Sequence, residues 1–313
     1  MTNPMIRFLA GNEPYFGGQT QGVQGNAIRH PFMAAAICLL GQTRPRVRLL
    51  EVGSYAGFSA LTWAEAIETF CPQGGEMLCV DPWLGYYDEK VLPVAESKGT
   101  SQEGLVAMSD DQHMDYVYDL FRHNISFVNP KKVAVRHIRG SGVEIFPYLK
   151  ERQFDLVYIE GRHLYEDVLA DLRGAAPLVA PGGLLCGDDL EAQLGEVDAA
   201  VERANAGRHS LNDPKTGVLY HPGVTLAVAE FFGGQVANHQ GFWAMRRSED
   251  GSSYAPADLS QSAIIIPKHF PQVWRDALQS AMASFRKTWP DGGVVPLRGR
   301  HAPDHIAHVI GDQ

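Results

Sequence analysis

Five short apolar runs, each closed by a glycine or an acid, dominate the middle of this chain. They are Val47 to Val52 (VRLLEV), Met77 to Val80 (MLCV), Lys132 to Ile138 (KVAVRHI), Phe154 to Ile159 (FDLVYI) and Gly183 to Gly187 (GLLCG). Helical patterns separate them: Phe58 to Phe70 after the first run, and an amphipathic stretch from Tyr165 to Leu178 after the fourth. A further helix over Val224 to Phe232 precedes a late strand over Gly241 to Arg246 (GFWAMR). Buried strands alternating with helices predict an α/β fold, with a mostly parallel sheet covered on both faces. Polar residues gather at the strand ends: Glu51, Ser54, Asp81, Ser141, Glu160, His163, Asp188 and Asp189. Open α/β sheets bind ligands at the carboxyl ends of their strands, so this pattern puts the chemistry along one edge.

The turn after the first run reads Glu51-Val52-Gly53-Ser54-Tyr55-Ala56-Gly57-Phe58-Ser59. Gly53 and Gly57 let the backbone approach a ligand before a helix begins, and Ser59 is placed to cap that helix. A dinucleotide site would need a G-x-G-x-x-G pattern, and Tyr55 stands where its second glycine belongs. The acid at the entry, Glu51, suits a ligand with a cationic amino-acid end instead. Asp81, before Pro82, ends the second run, where an acid accepts hydrogen bonds from two ribose hydroxyls. Either feature alone fits an ordinary turn; together they describe an adenosyl site. Trp83 and Tyr86 follow and suit packing beside adenine or acceptor, or within the core.

The 313 residues carry a formal charge of -9, with 45% hydrophobic and 20% charged residues, a globular profile. The acidic balance argues against a nucleic-acid or anionic-membrane partner. The longest apolar run, Met33 to Leu40, is far short of the roughly 20 residues a membrane span needs. The N-terminus shows no apolar core followed by a cleavage site. Cys38, Cys71, Cys79 and Cys186 show no CxxC spacing and read as reduced thiols, which points to the cytoplasm.

Helical spacing from His30 to Leu40, with Pro31 in the first turn, predicts a helix before the sheet. This gives an N-terminal loop and helix (1–45), a central domain (46–247) with an insertion at 86–112 that suits a lid, and a C-terminal extension (248–313). The extension carries a helix from Gln272 to Trp289 with Val273, Trp274, Leu278, Met282 and Phe285 on one face. That face must cover the chain's own core or a second copy of the chain. His301, His305 and His308 have helical spacing in a polar tail and read as solvated.

The stretch LLEVGSYAGFSALTWAEAI resembles the first motif of class I S-adenosylmethionine-dependent methyltransferases of the catechol O-methyltransferase kind. The stretch FDLVYIEGRHLYEDVLADLRGAAPLVAPGGLLCGDDL resembles the macrocin O-methyltransferase group and its cephalosporin-hydroxylase-like relatives. The resemblance runs from about Gly25 to Arg247 and is absent from the tail. It implies a Rossmann-like, doubly wound, mostly parallel seven-stranded sheet. It also implies S-adenosylmethionine held by Glu51, Gly53, Ser54, Tyr55, Gly57, Ser59, Asp81, Pro82, Trp83, Ser141 and Glu160.

In the resembling families an acid after the fourth strand and an acid pair after the fifth hold a divalent ion. Those places here are Glu160, Asp188 and Asp189, an all-oxygen set that suits Mg²⁺. Such an ion binds neighbouring diol oxygens and makes a hydroxyl a better nucleophile. One departure is that Glu160 stands where the family usually has Asp, which shifts the ion or loses it. His163 falls where those families place a general base, and an imidazole titrates near neutral pH. Arg162 replaces an acid of some relatives. The implied activity is Mg-assisted methylation of a hydroxyl on a small polyhydroxylated acceptor, a sugar or natural product. The alternatives are metal-independent O- or N-methylation, a non-catalytic adenosyl-binding protein and, less favoured, a nicotinamide-dependent oxidoreductase.

Overall fold

The computed structural model describes residues 11–16, 27–85, 110–214, 216–234 and 236–288. Tyr86, nearly all of the 86–112 insertion and the three tail histidines lie outside the described residues. The strands are β1 (Val47–Val52), β2 (Gly75–Asp81), β3 (Val133–Arg139), β4 (Phe154–Ile159), β5 (Val179–Leu190), β6 (Leu211–Asn212), β7 (Leu219–Tyr220), β8 (Ala237–His239), β9 (Gly241–Arg247) and β10 (Tyr254–Pro256). The helices are α1 (Arg29–Gly41), α2 (Phe58–Phe70), α3 (Asp111–Ile125), α4 (Gly142–Ile145), α5 (Tyr165–Ala175), α6 (Ala199–Asn205), α7 (Pro222–Phe232) and α8 (Gln272–Thr288).

Seven strands run in the order β10-β9-β5-β4-β1-β2-β3, and short β8 pairs with β9 as an eighth. β3, β2, β1, β4 and β5 are mutually parallel, while β9 is antiparallel to β5. The strand order reverses between β1 and β4, so their carboxyl ends flank the crevice where such sheets receive ligands.

Alternation along each strand feeds two cores. Leu49, Leu156, Tyr158, Leu184, Cys186, Phe242 and Ala244 face one side, with α1, α2 and α3 packed over them. Leu50, Val157, Ile159, Leu185, Trp243 and Met245 face the other, under α5 and α7. The sheet is therefore buried on both faces, as its unbroken apolar runs require. Cys79 and Cys186 are buried free thiols. The tail helix α8 sends Leu278 and Met282 into the first core, so it packs on this chain; Val273 of the expected apolar face is exposed. The Phe285 side chain lies outside the described residues.

Several boundaries differ from the sequence reading for local reasons. Helix α2 is capped by Gly57, in the left-handed region at φ 83°, and Ser59 lies inside it. The helix after β4 ends at Ala175 because Pro177 starts a tighter 3-10 turn over Ala176–Leu178. Strand β5 is longer than GLLCG at both ends, since its neighbours β4 and β9 supply partners beyond that run.

Candidate active site

The glycine turn is built by close approach. Gly53 has φ 87°, and a Cβ there would fall 1.7 Å from the Glu160 carbonyl oxygen, so only glycine fits where β1 meets β4. The Glu160 amide donates to the Val52 carbonyl at 2.9 Å, locking the two strand ends together. Glu51 lies beneath this turn, fully buried; its Oε2 accepts from the Ser54 hydroxyl at 2.7 Å, with Ser59 and Cys79 as further polar neighbours. Burial raises its pKa. Glu51, Ser54 and Ser59 thus support the turn from beneath.

Asp81 clamps two turns at once. Its Oδ2 accepts from the Tyr55 amide at 2.9 Å and its Oδ1 from the Trp83 amide at 2.7 Å. Tyr55 and Trp83 both have φ 43°, an unusual region for side-chain-bearing residues, and these bonds hold them there. Burial lifts the Asp81 pKa to about 6, although the two amides and Arg139 pull it down. Trp83 is fully buried, donates Nε1–H to the Tyr55 carbonyl and packs on Tyr118 and Phe121, the core role of its two readings. The Pro82 and Trp83 carbonyls accept from Arg139. Ser141 forms a reciprocal capping box with Glu144 at the start of α4, which occupies its hydroxyl.

The acids after β4 and β5 separate into two groups. A β-bulge between Gly187 and Leu190 interrupts the pairing with β9, and Asp189 sits in it with φ 60°. Asp188 turns toward α1, where it accepts a short hydrogen bond from Arg29 Nη1. The same nitrogen donates to Glu160 Oε1 at 2.9 Å, and the Tyr158 hydroxyl donates to Glu160 Oε2 at 3.3 Å. Burial raises Glu160 to about 8, with Asp189 adding and Arg29 opposing; burial also raises Asp188 against the pull of Arg29.

Asp189 turns instead toward histidines. Its Oδ2 lies 2.8 Å from His163 Nε2, and its Oδ1 lies 3.9 Å from His221 Nδ1. His221 also meets Glu191 at 3.1 Å, and the His209 ring stacks on His163 with centroids 4.9 Å apart. Gly223 makes this convergence possible: a Cβ there would fall 2.2 Å from the His163 carbonyl oxygen, so α7 can press its start, and His221, onto the His163 loop. Burial opposes ionisation of Asp189, but His163 and His221 outweigh it and hold its carboxyl well below the usual range. Burial likewise works against charge on His221, yet Glu191 and Asp189 lift it to about 10. His209 is pushed down to about 3 by burial and by its two histidine neighbours, so it is a neutral imidazole.

This geometry groups the acids differently from the expected metal set. Among the described residues, the groups whose ligand atoms lie within 4.8 Å of one another are His163–His209–His221, Glu160–His163–Asp189 and Asp189–Glu191–His221. Glu160, Asp188 and Asp189 are not such a group, because Asp188 and Asp189 follow each other on a strand and turn different ways. With Arg29 bonded to two of the three, the residues present do not fit a Mg²⁺ ion that asks for six oxygens. Arg162 pairs with Asp167 at 3.7 Å on the helix beyond. Sequence reasoning missed Arg29, His209, His221 and Glu191. Arg29 left one signal, a charged residue opening an otherwise apolar helix; His221-Pro222-Gly223 left another, a glycine inside a helix start.

Residues 50–190 match the Methyltransf_24 family, described as a methyltransferase domain; the matched span opens in β1 and closes at the end of β5. The match makes this stretch similar to a methyltransferase domain, the class that the sequence resemblance also implies. Among curated proteins, the uncharacterized protein y4gI of Sinorhizobium fredii is 25% identical over 166 residues, 52% of this chain and 15% of that protein. The chain therefore spans only a small part of that relative's length. Among solved structures, the calicheamicin methyltransferase CalS11 is 18% identical, with 69% of this chain and 77% of that one covered and a TM-score of 0.43. The O-methyltransferase NovP is 14% identical, with 71% and 80% covered and a TM-score of 0.43. An O-methyltransferase from Bacillus cereus, solved in complex with SAH, is 18% identical, with 77% and 85% covered and a TM-score of 0.37.

Proposed function

We propose that this chain is an S-adenosylmethionine-dependent O-methyltransferase that methylates a hydroxyl of a small polyhydroxylated molecule, a sugar or natural product, with His163 as general base. The observation that carries the reading is the His163–Asp189 pair at 2.8 Å, set at the strand ends beside the glycine turn. With Nε2–H donating to Asp189, the lone pair lies on Nδ1, which is buried and has no hydrogen-bond partner among the described residues. A buried acceptor without a donor is costly, and a substrate hydroxyl would satisfy it.

The reaction then follows from charge. The acceptor oxygen attacks the methyl carbon of the sulfonium; the O–CH₃ bond forms as the S–CH₃ bond breaks, and sulfur leaves as a neutral thioether. The hydroxyl proton goes to His163 Nδ1, and anionic Asp189 stabilises the imidazolium that results. The sulfonium is already a good leaving group, so alignment matters most and can contribute about 7–11 kcal/mol. The cofactor would lie across the Gly53 turn, with its ribose at Asp81. Mg²⁺ assistance, which the sequence resemblance implies, would require Glu160 and Asp188 to leave Arg29; the metal-independent alternative fits the observed geometry better.

The net charge of -9 supports a small-molecule acceptor over nucleic acid or an anionic membrane. No helix among the described residues is long and apolar enough to cross a membrane, and the buried free thiols accord with a reducing compartment, the cytoplasm.

Calorimetric titration with S-adenosylhomocysteine tests the cofactor class, and His163→Gln tests the base on a panel of hydroxyl acceptors. Micromolar binding retained by both proteins, with transfer lost only in the variant, supports the reading. Absence of cofactor binding in the parent protein would overturn it.

A further inference from the structure

We propose that Arg29 is the resident cation of the acid cluster, a positioning residue whose guanidinium fixes Glu160 and Asp188 and makes methyl transfer independent of a divalent ion. This rests on the reading of the chain as a methyltransferase.

Carboxyl groups buried together at the ends of two adjacent strands resist ionisation, and a cation held beside them offsets that cost. Arg29 supplies it from within the fold. It is 4% exposed and donates from one nitrogen to both Glu160 and Asp188. Its helix cannot release it: Phe32, Met33, Ile37 and Leu40 of α1 are all buried in the first core. His30, the next residue, is also buried and bonds through Nδ1 to the Thr62 hydroxyl at 2.6 Å, which pins the start of α1 to α2.

A guanidinium differs from a bound ion in ways that matter here. It stays protonated throughout the working pH range, cannot dissociate, and presents its donors in a rigid plane. A hard divalent ion would instead need the same carboxylate oxygens free and converging, plus open positions for water or substrate. In this chain Glu160 meets both Arg29 and Tyr158, and Asp188 faces Arg29. The third acid, Asp189, faces His163 and His221. Arg29 therefore acts through Glu160, whose backbone abuts Gly53, and holds the floor between cofactor turn and base. A chelating second oxygen on the acceptor then has no ion to bind, so acceptors with a single hydroxyl at the reacting position qualify as well as diols.

The experiment is Mg²⁺ calorimetry on the full chain, as parent, Arg29→Lys and Arg29→Met, with turnover measured in EDTA and in excess Mg²⁺. The parent and Arg29→Lys should show no saturable Mg²⁺ heat, and their turnover should agree within about twofold between the two buffers, far below the 10–100-fold loss seen when a functional ion is weakened. Arg29→Met frees the carboxylates and should gain a saturable Mg²⁺ site that Asp188→Asn removes, with lost turnover partly restored by Mg²⁺. Saturable Mg²⁺ binding by the parent, abolished by Asp188→Asn, would overturn the proposal. So would a folded Arg29→Met protein that binds no Mg²⁺. If that variant fails to fold, the parent and Arg29→Lys titrations decide alone. Cofactor binding by the parent, measured separately with S-adenosylhomocysteine, tells a failure of the methyltransferase reading from a failure of this one.

Discussion

Asp189 holds His163 from a backbone position that a strand does not normally offer. The bulge in β5 places Asp189 at φ 60° and aims its Oδ2 at His163 Nε2, 2.8 Å away, while Asp188 next to it bonds Arg29. Backbone strain of this kind costs on the order of 1–3 kcal/mol and persists where the surroundings enforce it. Here the enforcing contacts are the β9 pairing on either side and the histidines in front. The strain gives two consecutive acids two separate tasks.

If Asp189 fixes the tautomer and charge of His163, then Asp189→Asn should leave the fold and S-adenosylhomocysteine binding intact and cut turnover. The expected loss is about 10²–10⁴-fold, the usual worth of general-base catalysis. Single-turnover methyl transfer to an accepted hydroxyl substrate reads it. An Asn variant with near-parental turnover would remove Asp189 from the mechanism.

Asp81 gives cofactor binding a pH dependence. Its native pKa stands near 6, raised by burial, whereas the ribose hydroxyls need its anion. Binding should therefore weaken as pH falls below 6, by about tenfold per unit once the group is mostly protonated. Stability responds with the opposite sign. A carboxyl raised on folding contributes most below its unfolded pKa, and that contribution is lost as pH rises through the folded value near 6. S-adenosylhomocysteine calorimetry from pH 5 to 7.5 checks the first, and Asp81→Asn should bind weakly with no such trend. A flat profile in the parent would count against Asp81 as the ribose acid.

The three imidazoles predict inhibition by borderline metals. His163, His209 and His221 present ligand atoms within 4.8 Å of one another, a set that suits Zn²⁺ once the ion displaces the proton that Glu191 and Asp189 hold on His221. An ion bound there takes the His163 lone pair, so Zn²⁺ should inhibit transfer and EDTA should restore it. His209→Ala should weaken the inhibition by about tenfold or more while keeping most activity, since one ligand of three is gone. Activation by Zn²⁺ would contradict this use of His163.

The sheet and the cofactor edge were legible because periodicity and turn chemistry are local. VRLLEV and FDLVYI read as buried strands, and Gly53 and Asp81 stand where the turn and the acid should. The division of the acids was not legible. Adjacent aspartates invite reading as one ligand pair, and only the bulge opposite Phe242 sends them apart. Arg29 is 131 residues from Glu160, so their pairing depends on how α1 crosses the sheet, which no spacing rule encodes. The histidine cluster likewise joins the loop after β4, the segment between α6 and β6 and the start of α7 through tertiary packing.

The contact that assembles that cluster gives the last test. A Cβ on Gly223 would lie 2.2 Å from the His163 carbonyl oxygen and 2.5 Å from the Tyr165 amide nitrogen, both backbone atoms that cannot swing aside. Gly223→Ala must therefore push α7 off the His163 loop or distort the loop itself. Overpacking of this kind costs about 1–3 kcal/mol, a moderate fall in the urea midpoint. The catalytic effect should be larger than the stability effect. Moving His221 and His163 apart disturbs the base, and a misplacement near 1 Å can cost about 10²-fold in rate. Cofactor binding should change little, because Gly53 and Asp81 are held by their own contacts with Glu160, Tyr55 and Trp83. Turnover that falls in parallel with S-adenosylhomocysteine affinity would show that the histidine loop and the cofactor turn are not separable parts of the site.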